Sequence, residues 1–327
     1  MASVMMVELS RVGSRQRDQP ERIVRTTGMM HDDEIHIATS LVSRLIAGQF
    51  PEWAGLPIEP LNSAGTDNAI FRLGGEMAVR LPLRLVAAEQ VEKENRCLPS
   101  LAPHLPFGVP VPLTLGMPAE SYPYRWCVCR WLEGENAVVA PIADLAQAAI
   151  ALAQFVSALH RIDPTGGPQP GTHNFFRGVP LASRDAQTRA AIASLHGMVD
   201  TNAVTGAWEA VVSAPAWHAP PVWVHGDIHA GNLLVQQGRI SAVIDFGGLG
   251  VGDPACDLMV GWTLLSAETR RMFRSALAID DATWARARGW ALSVALTALP
   301  YYLHTNPVLV ALSRRAIDQV LADHIYS

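Results

Sequence analysis

The sequence predicts an α+β fold of two unlike lobes: a small antiparallel sheet with one helix packed on it, then a mainly helical half. Three observations carry this. Between about residues 58 and 132, short apolar runs alternate with turn-forming clusters. One helical pattern, Leu85–Leu101, interrupts them. Beyond Gly134, apolar residues recur at helical spacing over long alanine-rich stretches that leave room for two short strands.

In chain order, Asp32 or Asp33 is expected to cap an opening helix whose Leu41, Val42, Leu45 and Ile46 share a face, ending near Phe50. Strand-like runs follow at Ile58–Leu61, Ala69–Leu73 and Met77–Leu81, punctuated by Ser63–Asn68 and Gly74-Gly75 as in an antiparallel meander. After the Leu85–Leu101 helix, a loop with Pro103, Pro106, Pro110 and Pro112 leads to strands near Val111–Leu115 and Arg125–Leu132. A long helix is expected over Ile142–His160, and Pro164–Gly178 as a surface insertion. Strands Val222–Val224 and Ile240–Phe246 flank His225–Val235, and from Pro254 to Tyr326 the pattern is helical except near Asp280 and Asn306. The expected organisation is a solvated, disordered extension over residues 1–30, a first lobe over 31–132 and a second over 133–327.

Composition narrows the chemistry. The 327 residues carry a formal charge of −5 with 49% hydrophobic and 17% charged residues, which fits a globular chain and gives no basic footprint for nucleic acid. Lys93 is the only lysine among the 25 basic residues, so a Walker or Schiff-base lysine would have to be Lys93, and no glycine-rich loop precedes it. The four cysteines form no CxxC, which suits a reducing, cytoplasmic location. Cys127 and Cys129 lie two apart on a strand and read as small buried hydrophobes. Residues 1–30 lack the apolar stretch of a secretion signal, and the longest apolar runs contain prolines or polar breaks short of a membrane span.

The densest polar cluster in an apolar frame is Val222-Trp-Val-His225-Gly-Asp227-Ile-His-Ala-Gly-Asn232-Leu-Leu-Val, followed by Ala242-Val-Ile-Asp245-Phe-Gly247. Carboxylates at the mouths of apolar strands cost several kcal/mol unless compensated, so Asp227, Asn232 and Asp245 suggest a hard cation. Such oxygen ligands indicate Mg²⁺, which keeps waters and is completed by phosphates, and that implies a nucleoside triphosphate.

His-x-Asp-x4-Asn with a following Ile-Asp-Phe-Gly resembles the catalytic and metal-binding loops of kinases. With Gly226 in place of the protein-kinase arginine and Gly252-Asp253-Pro254-Ala255-x-Asp257-Leu258 shortly after, the chain resembles the aminoglycoside phosphotransferase and choline kinase superfamily from about Asp32 onward. The resemblance implies a bilobal protein-kinase-like fold and an ATP- or GTP-dependent O-phosphotransferase acting on a small hydroxylated acceptor, an antibiotic such as an aminoglycoside or macrolide, as a monomer or homodimer. It implies Asp227 as the base toward the acceptor hydroxyl, Asn232 and Asp245 as Mg²⁺ ligands, and His225 as an orienting residue. Arg80 stands where the family usually has the strand lysine that reaches the phosphates. Glu94 would be its carboxylate partner, with Glu92 and Glu89 as competing choices. Ser63, Thr66 and Asn68 would border the phosphate-covering loop, which also fits an ordinary hairpin turn. Arg130, Trp131 and Leu132 would form the hinge whose backbone meets the base.

Other readings stay open on these residues. Asp253 and Asp257 suit a helix cap as well as a metal, and His229 suits a packing role. Gly226-Asp227-Ile228-His229-Ala-Gly-Asn232 also looks like a metallophosphoesterase box, which would make His229 a ligand of a two-metal hydrolase. Gly250-x-Gly252-x-x-Ala255 looks like a dinucleotide loop but lacks the following strands. A metabolic small-molecule kinase of the same fold is the alternative to an antibiotic kinase. Glu268–Ser327 holds five acidic residues against seven arginines, which is no acidic pocket for a polycation. Trp262, Trp284, Trp290, Tyr301 and Tyr302 could form core or an apolar acceptor pocket, and Thr172–Arg177 could form another wall of it.

Overall fold

The computed structural model describes residues 35–61 and 67–325. The first helix, α1 (Thr39–Gln49), buries Val42, Leu45 and Ile46 on one face. It starts from Ala38 rather than from Asp32 or Asp33, which lie outside the described residues. The reason is that the Ile35 N–H pairs with the Leu83 carbonyl and Ile37 is buried in the sheet-side core, so the entry segment runs extended.

Strands β1 (Ile58–Pro60), β2 (Asn68–Leu73), β3 (Met77–Pro82), β4 (Pro112–Gly116) and β5 (Trp126–Arg130) form one antiparallel sheet in the order β1-β2-β3-β5-β4. Alternation in β2 sends Ala69, Phe71 and Leu73 into the core shared with α1. The second helix, α2 (Leu85–Leu101), packs Val91 against Cys127 and Cys129, which are free, buried and share a side. Leu98 and Leu101, farther along α2, join the core of the helical half, so this helix spans both cores.

Past the hinge, β6 (Glu135–Asn136), β7 (Val222–Val224), β8 (Leu233–Gln236), β9 (Arg239–Val243) and β10 (Gly250–Gly252) make two small antiparallel ladders, β6-β8-β9 and β7-β10. The strand expected to reach Phe246 stops at Val243, because Asp245 turns into the left-handed region at φ 61°. Around the ladders lie α3 (Leu145–Arg161), α4 (Asp185–Ser194), α5 (Thr201–Val212), α6 (Val260–Thr263), α7 (Ala267–Ala276), α8 (Asp281–Tyr302) and α9 (Pro307–Ile325). Trp262 and Trp290 are core residues, whereas Tyr301 is exposed. No helix among the described residues is long and apolar enough to cross a membrane.

Helix α8 is fastened to the end of β10 by a buried ion pair. Arg286 donates from Nε to Asp253 Oδ2 at 2.7 Å and from Nη2 to Oδ1 at 3.2 Å. Removing one member of such a pair strands the other charge and costs about 3–5 kcal/mol. Arg286→Met is therefore expected to lower the unfolding free energy by ~3 kcal/mol in urea denaturation. An unchanged midpoint would show that the pair holds nothing together.

Candidate active site

The turn after β7 is built before any chemistry enters. The Asp257 carboxylate, fully buried, accepts from the N–H of His225 at 3.1 Å and of Gly226 at 2.6 Å, and meets His160 Nε2 at 3.1 Å. Gly226 sits at φ 81°, and a Cβ there would lie 2.7 Å from Arg177 Cγ and 2.8 Å from the Gly248 carbonyl oxygen, so both conformation and space demand glycine. His225 bridges two loops: its Nε2 meets the Ile244 carbonyl oxygen, and its Nδ1 accepts the Asp227 N–H at 3.1 Å. It orients by hydrogen bonding, as expected. Asp253 accepts the Ala255 N–H and pairs with Arg286. Both open aspartates thus resolve as anchors.

Asp227 emerges from this turn with its side chain one-third exposed. Asn232 gives its Nδ2–H to the Asp227 carbonyl oxygen at 2.9 Å and approaches Asp227 Oδ2 at 3.3 Å, which leaves Asn232 Oδ1 for another partner. His229 Nε2 lies 3.4 Å from Asp227 Oδ2, and Arg177 Nη2 lies 3.4 Å from Oδ1. Burial pushes the Asp227 carboxyl up, but His229, Arg177 and His225 outweigh it and hold the group well below the usual carboxylate range. Burial pushes His229 down, and Asp227 and Asp245 more than restore it, so its proton is held more tightly than usual. The 172–177 segment, expected as a possible acceptor wall, brings Arg177 beside Asp227, and His229 meets Asp227 rather than serving only to pack. His229 was legible inside the Gly-Asp-x-His box, but no spacing rule connects Arg177 to a residue 50 positions on. The expected surface insertion is in fact a packed one, since Asn174 is fully buried and Arg177 nearly so.

From the sheet side, the Arg80 guanidinium pairs with Glu94 in a buried fork, the second contact, Nη2 to Oε1, being 3.1 Å. Burial opposes that charge, and Glu94 and Asp245 overcompensate. Glu92 turns instead to Arg125. Lys93, buried beside Glu94, donates to the Gly247 carbonyl at 2.7 Å and the His173 carbonyl at 3.1 Å, with His173 Nδ1 at 3.3 Å. Burial pulls its ammonium down to about 8. One side chain therefore ties α2 to the Asp245 loop and to the 172–177 segment. Gln90, one turn away, is buried with both amide atoms unpartnered among the described residues, and its Oε1 lies 2.8 Å from where a Gly247 Cβ would sit.

Ser63 and Thr66 lie outside the described residues. Asn68 heads β2 with its Oδ1 buried and unpartnered among the described residues, beside Asp67, which pairs with Arg84. Arg130 ends β5 as an exposed residue, and the Trp131 N–H is spent on the Glu76 carbonyl at 2.8 Å, because it extends the β3–β5 ladder. The segment after β5 therefore leaves the Leu132 N–H, rather than that of Trp131, untaken by any described residue.

A five-stranded sheet carrying a buried Arg–Glu pair and a mainly helical half carrying Asp227, Asn232 and Asp245 make up a bilobal kinase-like fold. Residues 58–290 match the model of the phosphotransferase enzyme family, and the chain belongs to that family. Solved structures share the fold at low identity. The GDP and kanamycin complex of APH(2")-IIIa is 17% identical with a TM-score of 0.68, covering 86% of this chain and 98% of that one. Macrolide 2'-phosphotransferase MphH from Brachybacterium faecium, an apoenzyme, is 22% identical with a TM-score of 0.58 over 86% and 97% of the two chains. The streptomycin–ATP complex of APH(2")-IIa is 17% identical with a TM-score of 0.56 over 87% and 97%. A search of curated proteins gives no match.

Lys93→Met keeps the stem and removes three donors. It is expected to raise the nucleotide KM at least tenfold while the thermal midpoint falls by only a few degrees. Unchanged kinetics would show that its three contacts do not hold the loops.

Proposed function

We propose that the chain transfers the γ-phosphoryl group of ATP or GTP to a hydroxyl of a small molecule. The observation that carries this reading is the convergence of Asp227, Asn232 and Asp245 opposite the Arg80–Glu94 pair. The donor set fits Mg²⁺: Asn232 Oδ1 is left unengaged by the hydrogen bonds of its amide, and the half-buried Asp245 supplies a carboxylate held in place by the Gly247 N–H at 3.3 Å. When bound, the ion neutralises charge on the nucleotide phosphates.

The geometry supports a role for each residue. Asp227, kept ionised by its neighbours, accepts the proton as the acceptor oxygen forms its bond to phosphorus; the bond from phosphorus to the leaving oxygen breaks, and a nucleoside diphosphate departs. Arg80, fixed by Glu94, gives the phosphates a cation that burial does not remove. Asn68 would border the phosphates, and the Leu132 backbone and Trp131 carbonyl would face the base. Residues 35–132 serve the nucleotide, and 133–325 carry the catalytic loops and the acceptor. The two-metal hydrolase is disfavoured because Asp253 and Asp257 are spent on Arg286 and on loop amides, while His229 faces Asp227. The four free, buried cysteines suit a cytoplasmic enzyme.

Aminoglycosides and macrolides, named with the structural neighbours, are the first acceptors to test. A metabolic alcohol is the second reading, favoured by the basic side chains of His229 and Arg177 beside Asp227.

Asp227→Ala is expected to lower nucleotide-dependent phosphorylation at least 10³-fold with nucleotide affinity within a few-fold of the parent, checked by radiolabel transfer and calorimetry. Transfer within a few-fold of the parent would remove Asp227 as the base. Asp245→Asn is expected to raise the Mg²⁺ concentration needed for half-maximal rate at least tenfold, and an unchanged metal requirement would take it out of the metal site.

A further inference from the structure

Next to Asp227, on the side of α4 and α8, nitrogen donors outnumber the acceptors that could satisfy them. Trp290 is fully buried, with its indole Nε1 unpartnered among the described residues. Two guanidinium groups lie near the same ring: the Arg184 Cζ is 4.9 Å from its centroid and the Arg177 Cζ 5.7 Å. Arg177 Nε is buried and unpartnered as well, and among the described residues the only carboxylate within ion-pair distance of its guanidinium is Asp227, at 3.4 Å. Arg184 is 8% exposed; its Nε donates to Ser293 Oγ at 2.8 Å, and no carboxylate among the described residues comes within ion-pair distance. The nearby Arg286 does not add to this surplus, because Asp253 neutralises it.

Burying a cation without an anion costs several kcal/mol, and a second like charge beside it adds to the cost. Both effects are visible here, since burial first and Arg177 second pull the Arg184 guanidinium down to about 10. A fold tolerates such an arrangement where a ligand completes it. The missing partner must accept hydrogen bonds and carry negative charge.

We infer that Arg177 and Arg184, which flank the buried Trp290 ring, form a subsite for an anionic group, a carboxylate or phosphate, borne by the acceptor alcohol. This rests on the reading of Asp227 as the base toward that alcohol and narrows its substrate class: the acceptor is a hydroxylated acid rather than a polyamine. The strained backbone supports a built site. Phe175 and Phe176, which lead into Arg177, both stand at left-handed φ, 55° and 56°, an uncommon state for bulky residues. Asn174 holds them there, accepting the Gly171 N–H at 2.9 Å and donating to the Arg177 carbonyl at 3.1 Å.

The test titrates the full chain calorimetrically with matched alcohols: gluconate, glucose and glucosamine; glycerate, glycerol and serinol; and kanamycin as a larger amine. Each is measured with and without Mg²⁺ and a non-hydrolysable nucleoside triphosphate. The acid of at least one triplet is expected to bind at least tenfold more tightly than its neutral and amine counterparts, with nucleotide present. Arg184→Gln is expected to abolish that preference and Arg184→Lys to keep part of it, with nucleotide affinity within twofold in both. Three results overturn the inference: no acid preference in any triplet, a preference that survives Arg184→Gln, or one that vanishes once nucleotide is bound, which would assign the cations to the transferring phosphate. Failure of the nucleotide itself to bind would strike the phosphotransferase reading, and the nucleotide-free titrations would still decide this one.

Discussion

The Asp257 carboxylate is the constraint on which the site depends. It is fully buried, and it is compensated by two consecutive backbone N–H groups and by His160 rather than by a guanidinium. Those N–H groups belong to His225 and Gly226, so the charge fixes the turn that delivers Asp227. A buried carboxylate that lost these partners would cost several kcal/mol, so the turn and the charge stabilise one another. Everything downstream inherits that geometry: His225 reaches across to Ile244 near the Asp245 turn, and Asn232 closes back on Asp227.

The second organising feature is how fully the two cations on the sheet side, Arg80 and Lys93, are placed. Arg80 is locked to Glu94, and Lys93, next along from that partner, is locked to Gly247 and His173. Helix α2 thereby contacts β3, the Asp245 loop and the 172–177 segment through adjacent residues. A planar guanidinium on β3 grips its carboxylate in a fork, which a lysine ammonium does not. The lone lysine, one helix position before the partner glutamate, joins loops instead of phosphates.

Much of this was legible in the sequence, and the parts that were not share a physical cause. The strands of the sheet and α2 were readable because apolar period and turn residues agree there. That Asp227 and Asn232 meet was readable because one short loop holds both, and Asp245 follows the hairpin that starts at Leu233. The start of α1 was misplaced because a good capping residue competes with the pairing of Ile35 and the burial of Ile37. Helix α4 buries only Thr188, Ala191 and Ile192, a stripe too thin to mark it. The proline- and glycine-rich 164–178 segment looked like solvent-facing loop, yet Asn174 and Arg177 pack inward through contacts with residues far along the chain. Local pattern carries no information about such pairings.

The central claim is that a triphosphate and a divalent cation lie between the Arg80–Glu94 pair and the two loops after β7 and β9, with Asp227 free to meet an alcohol. A crystal structure of the full chain grown with Mg²⁺ and a non-hydrolysable nucleoside triphosphate tests it most directly. Asn232 and Asp245 oxygens are expected on the metal, Arg80 on the phosphates and Asp227 unligated beside the terminal phosphate. A metal bound without either ligand, or a triphosphate seated away from Arg80, would contradict it.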